Sequence, residues 1–499
     1  MGLSKSKYVK GLQCPKMLWM DKNMPEQFDE SVQNEAIMQT GNEVGDLAMG
    51  YYGDFVEIPF DHNNFEDMAS QTQEHLAAAT AGTGAPNICE ATFIYEGNLC
   101  MVDILRVEPD GVHIVEVKAT NSLKDYHVDD ASYQCWLLQQ CGLNVKSVGL
   151  MHLNRDYVRQ GELDIQELFV VEDITEEVDH LLPLVEARIA HIYEVMNAPE
   201  EPERSIGLHC KNPHPCGYRA WCQRIYPQPS VLDLCSIRMD KALDLISMGV
   251  VTFEDVVNAG TDLNVRQMQQ VLCEVNNIET HVDKEAIQDF LDGLRFPLYF
   301  LDFETMQAAI PPFDGLHPWQ QVPTQYSLHI LRENGTLEHR EFLAPEGADP
   351  RRAVAEHLCA DIPRGACTLA YYMSFERGRI DELAQAFPDL AAHLYSISDG
   401  MADLYVPFAQ GAYYNRAQGG SNSIKYVLPA LFPNDPSLDY HALEGVHNGT
   451  DAMNAYADLV NHTPEERAQI REQLLRYCEL DTLAMVRIYE KLVEAIKEM

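Results

Sequence analysis

The chain lacks a long apolar run, an internal repeat and any low-complexity tract. Because no stretch of about 18 apolar residues occurs, we expect no membrane-spanning helix. The basic N-terminal segment is not followed by the apolar stretch and small-residue cleavage site of a secretory signal. These absences predict a cytoplasmic protein with no membrane partner, and its 499 residues are enough for two or three domains.

Positive charge is also scarce. The chain has 36 lysines and arginines against 77 aspartates and glutamates, which gives a formal net charge of −41. A protein that binds nucleic acid normally presents a basic face to the phosphates, so this composition argues against tight, unaided binding of a long duplex. The positive charge that remains is local, at residues 5–16 and 351–379. A protein partner that supplies a basic surface would allow the chain to bind nucleic acid despite its negative charge.

Thirteen cysteines are present, and in a protein expected in the cytoplasm they indicate metal binding or buried thiols rather than disulfides. Nine stand singly in apolar or helical contexts and are expected to be small buried side chains. The other four are Cys14 and a cluster in HCKNPHPCGYRAWC at Cys210, Cys216 and Cys222. Four thiolates can hold an iron–sulfur cluster or a tetrahedral zinc ion, and residues far apart in sequence can share one site. Both interpretations stay open on the spacing alone.

Helical and strand patterns divide the chain into three segments. Residues 1–228 predict a mixed sheet flanked by helices, with an irregular polar stretch at 51–85. Residues 229–295 look wholly helical. Within them, DKALDLISMGVVTFEDVVNAG is reminiscent of a helix–hairpin–helix module, although a plain helical connector is favoured. Residues 296–499 open with three strands and continue with alternating helices and strands. The predicted fold class is therefore α/β.

The segment VDILRVEPDGVHIVEVK predicts two strands joined by a tight turn, with Asp103 on the first and Glu116 and Lys118 on the second. Glu116 and Lys118 are two residues apart, so they project from one face of their strand. Two neighbouring carboxylates raise each other's pKa unless a cation lies between them. Oxygen ligands favour Mg²⁺ or Mn²⁺. This segment therefore predicts a divalent metal centre.

This arrangement resembles the PD-(D/E)xK nuclease superfamily, and in particular its RecB-like, CRISPR-associated and AddB-like branch. The resemblance implies a restriction-endonuclease-like fold in which Asp103 and Glu116 bind the metal and Lys118 is the catalytic lysine. It also implies that Glu90, in ICEATF, is a further acidic ligand and that Gln134, in SYQCWLLQQCG, is the family's helix glutamine.

The four cysteines match the RecB-like nucleases that carry one early and three late cysteines around the catalytic domain. The resemblance therefore implies a [4Fe–4S] cluster with a structural role, and zinc is the competing interpretation. Two positions depart from the family pattern. Gly45 stands where a metal-binding histidine is usual, and Leu138 where a tyrosine is usual. The first departure leaves the metal one protein ligand short.

A second group of carboxylates is spread over the last 200 residues. In FPLYFLDFET, Asp302 and Glu304 share one face of a predicted strand. Glu376 opens a helix in SFERGRI, and Tyr477 and Asp481 lie one helical turn apart in RYCELDT. Four carboxylates can hold two cations about 4 Å apart, which activate water and stabilise a leaving oxygen. This group predicts a two-metal hydrolytic centre.

The order of these acids resembles the DEDD exonucleases of the DnaQ-like group, which have an RNase H-like fold. The resemblance implies that Asp302, Glu304, Glu376 and Asp481 bind Mg²⁺ or Mn²⁺, and that Tyr477 positions or deprotonates the water. Glu376 stands where the family normally has aspartate, which puts its ligand role in doubt.

The segments MADLYVPF and GSNSIKYVLPALFP are similar to an uncharacterised bacterial domain family found behind RecB-like units. In the first of them, Asp403 is expected to be a structural cap or to support the metal ligands from outside.

Together these resemblances imply a dual nuclease that degrades nucleic-acid ends in repair or defence, with single-stranded DNA as the preferred substrate and 3′–5′ polarity at the second centre. One alternative is a 3′–5′ exoribonuclease in which only the C-terminal centre acts. The other is a catalytically decayed adaptor that binds nucleic-acid ends or recruits a partner.

Overall fold

The computed structural model describes residues 2–32 and 35–497, and the chain folds into two compact units. The first unit contains Met1–Ile225 together with Ala308–Gln320, and the second contains Tyr226–Gln307 with Gln321–Met499. Both units are mixed α/β. Residues 229–295, predicted as a connector, pack within the second unit. Among the described helices, none is both long and apolar enough to cross a membrane.

The first unit combines eight described helices with seven strands. The helices are α1 (Lys5–Gln13), α2 (Pro15–Asn23), α3 (Glu35–Met49), α4 (Phe65–Thr80), α5 (Asp125–Gln140), α6 (Ile165–Leu168), α7 (Thr175–Met196) and α8 (Arg219–Gln223). The strands are β1 (Leu3–Ser4), β2 (Phe55–Glu57), β3 (Asn87–Tyr95), β4 (Asn98–Glu108), β5 (Gly111–Lys118), β6 (Val145–Leu153) and β7 (Phe169–Asp173).

These strands form one mixed sheet in the order β2-β3-β4-β5-β6-β7, and β1 pairs with β4. β3, β4 and β5 are antiparallel neighbours, whereas β5 and β6 are parallel because α5 crosses over between them. Alternate strand residues face two cores. Ile114 packs with residues of α5 and α7 on one face, and Val115 packs with residues of α3 on the other. The buried strands place the ends of β4 and β5 beside α5.

The predicted irregular stretch at residues 51–85 is wrong, because α4 occupies Phe65–Thr80. Asn64 caps this helix by accepting from the backbone N–H of Asp67 at 3.3 Å. Met68, Thr72 and Leu76, spaced by four residues, form its buried stripe. The remaining face is polar and alanine-rich, so the mean composition of the stretch concealed the helix.

The second unit has eleven described helices and seven strands. The helices are α9 (Met239–Ser247), α10 (Phe253–Ala259), α11 (Val265–Val275), α12 (Lys284–Asp292), α13 (Arg351–Asp361), α14 (Ser374–Ala386), α15 (Ala391–Asp399), α16 (Val406–Ala409), α17 (Ile424–Leu431), α18 (Gly449–Asp458) and α19 (Pro464–Lys497). The strands are β8 (Thr280–Val282), β9 (Leu298–Gln307), β10 (Gln321–Leu331), β11 (Leu337–Leu343), β12 (Cys367–Ala370), β13 (Met401–Asp403) and β14 (Tyr413–Asn415).

The main sheet of this unit has the order β11-β10-β9-β12-β13. The first three strands are antiparallel, as the opening strands in the sequence predict, and β9, β12 and β13 are parallel. Helices cover both faces, because Phe300 faces a core shared with α17 and α19, while Leu301 faces one shared with α13, α14 and α15. The central strand β9 therefore carries its polar residues between two helical layers.

The segment 229–295 is not wholly helical, because β8 pairs with β14 in a two-stranded ribbon. Its three residues are too few for strand periodicity, and their partner lies about 130 positions further along the chain. The predicted helix–turn–helix is present as α9 and α10, and Gly249 between them has a φ of 81°. A role of this hairpin in gripping phosphates stays a prediction.

Candidate active sites

The first carboxylate centre lies where β4 and β5 run side by side. Asp103 accepts a hydrogen bond from the backbone N–H of Val117 at 2.7 Å. Lys118 contacts Glu116 at 2.7 Å, because residues two apart project from the same face of a strand. Gln134, on α5, donates to the other oxygen of Glu116 at 2.7 Å. The structure thus brings four predicted side chains together, and their catalytic roles stay predictions.

Glu90 lies close enough to the first centre for its carboxyl group to interact electrostatically with Asp103. It lies on β3 opposite Asp103, between two regular pairs of β3 with β4. Its φ of 55° is in the left-handed region, which is uncommon for a residue other than glycine. Burial and the nearby Asp103 carboxylate raise the pKa of Glu90 to about 7.

Lys5 and Asp130 are members of this centre that the sequence analysis missed. The ammonium of Lys5, on α1, lies 3.1 Å from Asp103 and 2.9 Å from Glu116. Asp130 accepts from Lys118 at 2.6 Å. Asp130 precedes Gln134 by one helical turn, and that spacing was a usable signal. Nothing in the local sequence distinguishes Lys5 from the other lysines of the basic N-terminal segment.

The two lysines set the charge state of the first centre. Burial alone would raise the pKa of Glu116, but Lys118 and Lys5 outweigh it and hold the pKa below its usual range. For Asp103 the unfavourable effects prevail over the lysines, because burial and the Glu116 carboxylate raise its pKa to about 6. Burial opposes the charge on Lys5, yet Asp103 and Glu116 raise its pKa overall. The ammonium of Lys5 is therefore the counter-ion of the two acids.

A divalent ion fits the first centre only if Lys5 moves. The ion would have to contact Asp103 and Glu116, and the Lys5 ammonium already contacts both of them. The two positions that depart from the family pattern supply no replacement ligand. Gly45 has no side-chain donor, and Leu138 is fully buried in the apolar core. The two acids therefore fit a metal site in which the Lys5 ammonium occupies the position of the metal ion.

The second carboxylate centre gathers residues from three elements that are distant in the sequence. Asp302 and Glu304 lie on β9, and Asp481 lies on α19. One carboxylate oxygen from each of the three lies within 4.8 Å of the other two. Glu376, in the first turn of α14, is buried, and its Oε2 has no hydrogen-bond partner among the described residues. An unpartnered buried carboxylate oxygen is costly unless a ligand such as a cation meets it.

Electrostatic repulsion dominates this second centre. Burial and the charges of the neighbouring acids raise the pKa values of Asp302 and Glu304 well above the usual range. Burial, Asp403 and Asp481 raise the pKa of Glu376 to about 8. Burial raises the pKa of Asp481 to about 6. Divalent cations would relieve this repulsion, so the donor set fits one or two of them.

Tyrosines and one lysine surround Asp481. Tyr440 donates to its Oδ1 at 2.6 Å, and Tyr477, one helical turn before Asp481 on α19, lies close enough to lower the pKa of this carboxylate. Lys425, on α17, lowers the pKa values of both Glu304 and Asp481 through its charge. The spacing of the Tyr477 motif was readable from the sequence. The positions of Tyr440 and Lys425 depend on the packing of α17 and the loop after it, and no motif marks them.

Asp403 acts as a backbone cap at the end of β13. Its Oδ1 accepts from the backbone N–H groups of Tyr372 at 2.8 Å and Tyr405 at 3.0 Å. It therefore fixes the loop that leads into α14 and contributes its negative charge to the environment of Glu376.

The four predicted cysteines line one cavity in the first unit, together with Lys16, Arg204 and other residues. Burial raises the pKa of Cys216 to about 11, and the other three thiols contribute to this shift. Lys16 and Arg204 act in the opposite direction on Cys222 and Cys14. Four soft donors with positive charge nearby fit a metal centre that needs thiolates.

Most of the basic residues expected to contact phosphate are paired with acids instead. The pairs are Lys10 with Asp21, Lys16 with Glu201, Arg351 with Asp349, Arg352 with Asp389, and Arg379 with Glu382. A partner that supplies basic surface stays a prediction.

Comparison with known proteins gives a match without an assigned activity. A family model described as a domain of unknown function (DUF2779) matches residues 299–423. The chain is 26% identical over 214 residues to the "Uncharacterized protein MG366 homolog" of Mycoplasma pneumoniae, which covers 38% of this chain and 31% of that protein. It is 24% identical over 248 residues to the "Uncharacterized protein UU173" of Ureaplasma parvum, covering 43% and 34% respectively.

The chain thus spans about a third of the length of these curated relatives. No solved structure matches it. The matched domain contains Asp302, Glu304 and Glu376, so three acids of the second centre lie in a segment for which a family model exists.

Replacing Lys5 by methionine is expected to strengthen Mn²⁺ binding at the first centre by roughly tenfold or more, because the competing cation is removed. Titration calorimetry would measure this in a chain that also carries Asp302→Asn, which weakens binding at the second centre. Lys7→Met, at a half-buried lysine of the same helix whose Nζ donates to the carbonyl of Gly2, is the matched control. Equal affinity in the Lys5 and Lys7 variants would contradict the role of Lys5.

The second centre also predicts a pH dependence of stability. Its acids have raised pKa values in the folded chain, so between about pH 4 and pH 8 these acids bind more protons in the folded state than in the unfolded state. Without metal, the free energy of unfolding should therefore fall as the pH rises through this window, and Mn²⁺ should restore it. Thermal unfolding in EDTA from pH 5 to 8 measures the slope.

The control for this experiment compares two neutralised acids. Asp481→Asn should flatten the slope, and Asp399→Asn, at an exposed acid of the same unit, should leave it unchanged. If both variants keep the parental slope, the carboxylates of the second centre do not cause the pH dependence.

Proposed function

We propose that this chain is a metal-dependent nuclease that hydrolyses phosphodiester bonds at nucleic-acid ends. The second centre is the principal hydrolytic site, with 3′–5′ polarity and single-stranded DNA as its preferred substrate. The observation that supports this proposal most strongly is the convergence of Asp302, Glu304 and Asp481, whose ligand atoms lie within 4.8 Å of one another. Partly buried acids gathered from separate elements repel one another unless cations bind between them.

The residues of the second centre have distinct tasks in this proposal. Asp302, Glu304, Asp481 and the unpartnered oxygen of Glu376 would hold Mg²⁺ or Mn²⁺, which supplies an activated water and stabilises the leaving oxygen. Tyr477 lies one helical turn before Asp481 on α19 and would orient the water beside this carboxylate.

Two further residues complete the environment of Asp481. The Tyr440 hydroxyl donates to this carboxylate and holds its rotamer. Lys425 contributes the positive charge that the phosphate needs near Glu304 and Asp481.

The first centre would act as a RecB-like nuclease site once Lys5 leaves the carboxylates. Support comes from the β4–β5 hairpin, the α5 crossover, and the grouping of Asp103, Glu116, Lys118 and Gln134. The antiparallel β9, β10 and β11 followed by the parallel β12 and β13 support a DnaQ-like architecture for the second unit.

The cysteine cavity would hold a [4Fe–4S] cluster with a structural role. Cys14 directly follows α1, and Gln13 at the end of this helix donates to the carbonyls of His209 and His214 in the cysteine loop, both at 2.7 Å. A bound cluster would reinforce this link. A cluster absorbs near 400 nm, whereas a zinc centre is colourless, so anaerobic absorbance with iron and zinc analysis separates the two cofactors.

A second candidate is a 3′–5′ exoribonuclease in which only the C-terminal centre acts. The observation that favours it is the Lys5 ammonium lodged between Asp103 and Glu116. In that case the first unit would bind nucleic acid without cutting it.

Digestion of end-labelled DNA and RNA oligonucleotides with Mn²⁺ tests both candidates. Asp302→Asn should reduce 3′–5′ degradation by at least about 100-fold, since even residues that support metal ligands typically cost 10–100-fold. Asp399→Asn, with the same loss of charge at an exposed position, should cut like the parent chain. Lys118→Met should remove only products that come from the first centre.

Faster digestion of RNA than of DNA, unaffected by Lys118→Met, would select the exoribonuclease. Equal cutting by the parent chain and Asp302→Asn would reject the second centre as a catalytic site.

A further inference from the structure

Two histidines outside both carboxylate centres face each other across the β10–β11 hairpin of the second unit. His329 pairs directly with His339, and their rings stack with centroids 4.5 Å apart. Glu479, on α19, completes the group, because one ligand atom from each of the three side chains lies within 4.8 Å of the other two. Nδ1 of His339 lies 3.7 Å from Oε1 of Glu479.

Two hydroxyl groups contact one nitrogen of each histidine ring. Thr482 Oγ1 lies 2.8 Å from Nδ1 of His329 and 3.1 Å from the carbonyl oxygen of Glu479. Ser327 Oγ lies 2.9 Å from Nε2 of His339 and 2.6 Å from Thr482 Oγ1. The two hydroxyls can donate or accept at these positions, so they hold both rings in place.

With those nitrogens in contact with hydroxyls, Nε2 of His329 and Nδ1 of His339 are the ring nitrogens left for a further partner. Nδ1 of His339 faces the Glu479 carboxylate. A carboxylate beside this nitrogen favours positive charge between the two groups, which a proton or a metal ion can supply.

The donor set indicates which cation. A histidine whose other nitrogen is held by a hydrogen bond is the form in which proteins present imidazole to a metal. Two imidazole nitrogens and one carboxylate oxygen suit Zn²⁺ in a tetrahedral site, with the fourth position left for water. Mg²⁺ prefers oxygen donors throughout, so it would favour the Asp302 centre instead.

We propose that His329, His339 and Glu479 form a binding site for a zinc-class transition-metal ion, separate from the carboxylate centre at Asp302. His329 is buried, His339 is partly exposed and Glu479 is about half exposed, which gives the ion a route from solvent. The ion would tie α19 to β10 and β11. Because Asp481 lies two residues beyond Glu479 on α19, the ion would also fix the helix that carries this acid. This inference does not depend on the proposed nuclease activity.

Zinc titration of the full chain tests the site. The parent chain should bind one equivalent of Zn²⁺ more than His339→Gln or Glu479→Gln, and the extra ion should raise the midpoint of thermal unfolding by a few degrees. Both changes lie at the exposed side of the group, which limits their effect on folding. His191→Gln, at an exposed histidine of α7, is the matched control and should bind as the parent does.

Cobalt substitution identifies the donors of that extra equivalent. Co²⁺ bound by nitrogen and oxygen shows visible absorption without the thiolate-to-metal charge transfer that the cysteine cavity would give. The parent and His191→Gln should show this spectrum, and the His339 and Glu479 variants should lose it. Equal zinc stoichiometry and equal zinc-dependent stabilisation in the parent and both site variants would overturn the proposal.

Discussion

The second unit is organised around partly buried carboxylates that repel one another. Asp302 and Glu304 extend from the central strand β9, and Asp481 approaches from the long helix α19, so the cores on both sides of the sheet hold these acids together. Packing of apolar residues supplies the free energy that offsets this repulsion in the metal-free chain. Unfavourable repulsion of this kind is typical of functional sites, and bound divalent cations would relieve it.

The first unit meets the same constraint with an internal cation. The ammonium of Lys5 lies between Asp103 and Glu116, whereas the second centre has Lys425 acting only through its charge on Glu304 and Asp481. The helix that carries Lys5 ends next to Cys14, so the position of this lysine depends on the segment that the cysteine cavity holds. The two centres therefore differ in how readily a divalent ion can enter them.

Much of what was predicted correctly came from local periodicity in the sequence. Alternation in VHIVEVK and FPLYFLDFET placed Glu116, Lys118, Asp302 and Glu304 correctly on strands, and helical spacing placed Tyr477 and Asp481 on one face of α19. Contacts between distant segments were not predictable. Lys5 reaches Asp103 across 98 positions, and Tyr440 reaches Asp481 across 41. The short strand β8 was not predicted for the same reason, because its partner strand β14 lies far along the chain. A single sequence records periodicity but not which distant segments meet.

The central claim is that the acids of the second unit hold divalent cations. Anomalous diffraction from crystals grown with Mn²⁺ tests it most directly, because manganese positions are located independently of the protein atoms. The account predicts manganese bound by Asp302, Glu304 and Asp481, with Glu376 at the same site. Crystals in which these carboxylates contact no manganese at millimolar Mn²⁺, at a pH above the raised pKa values, would contradict it.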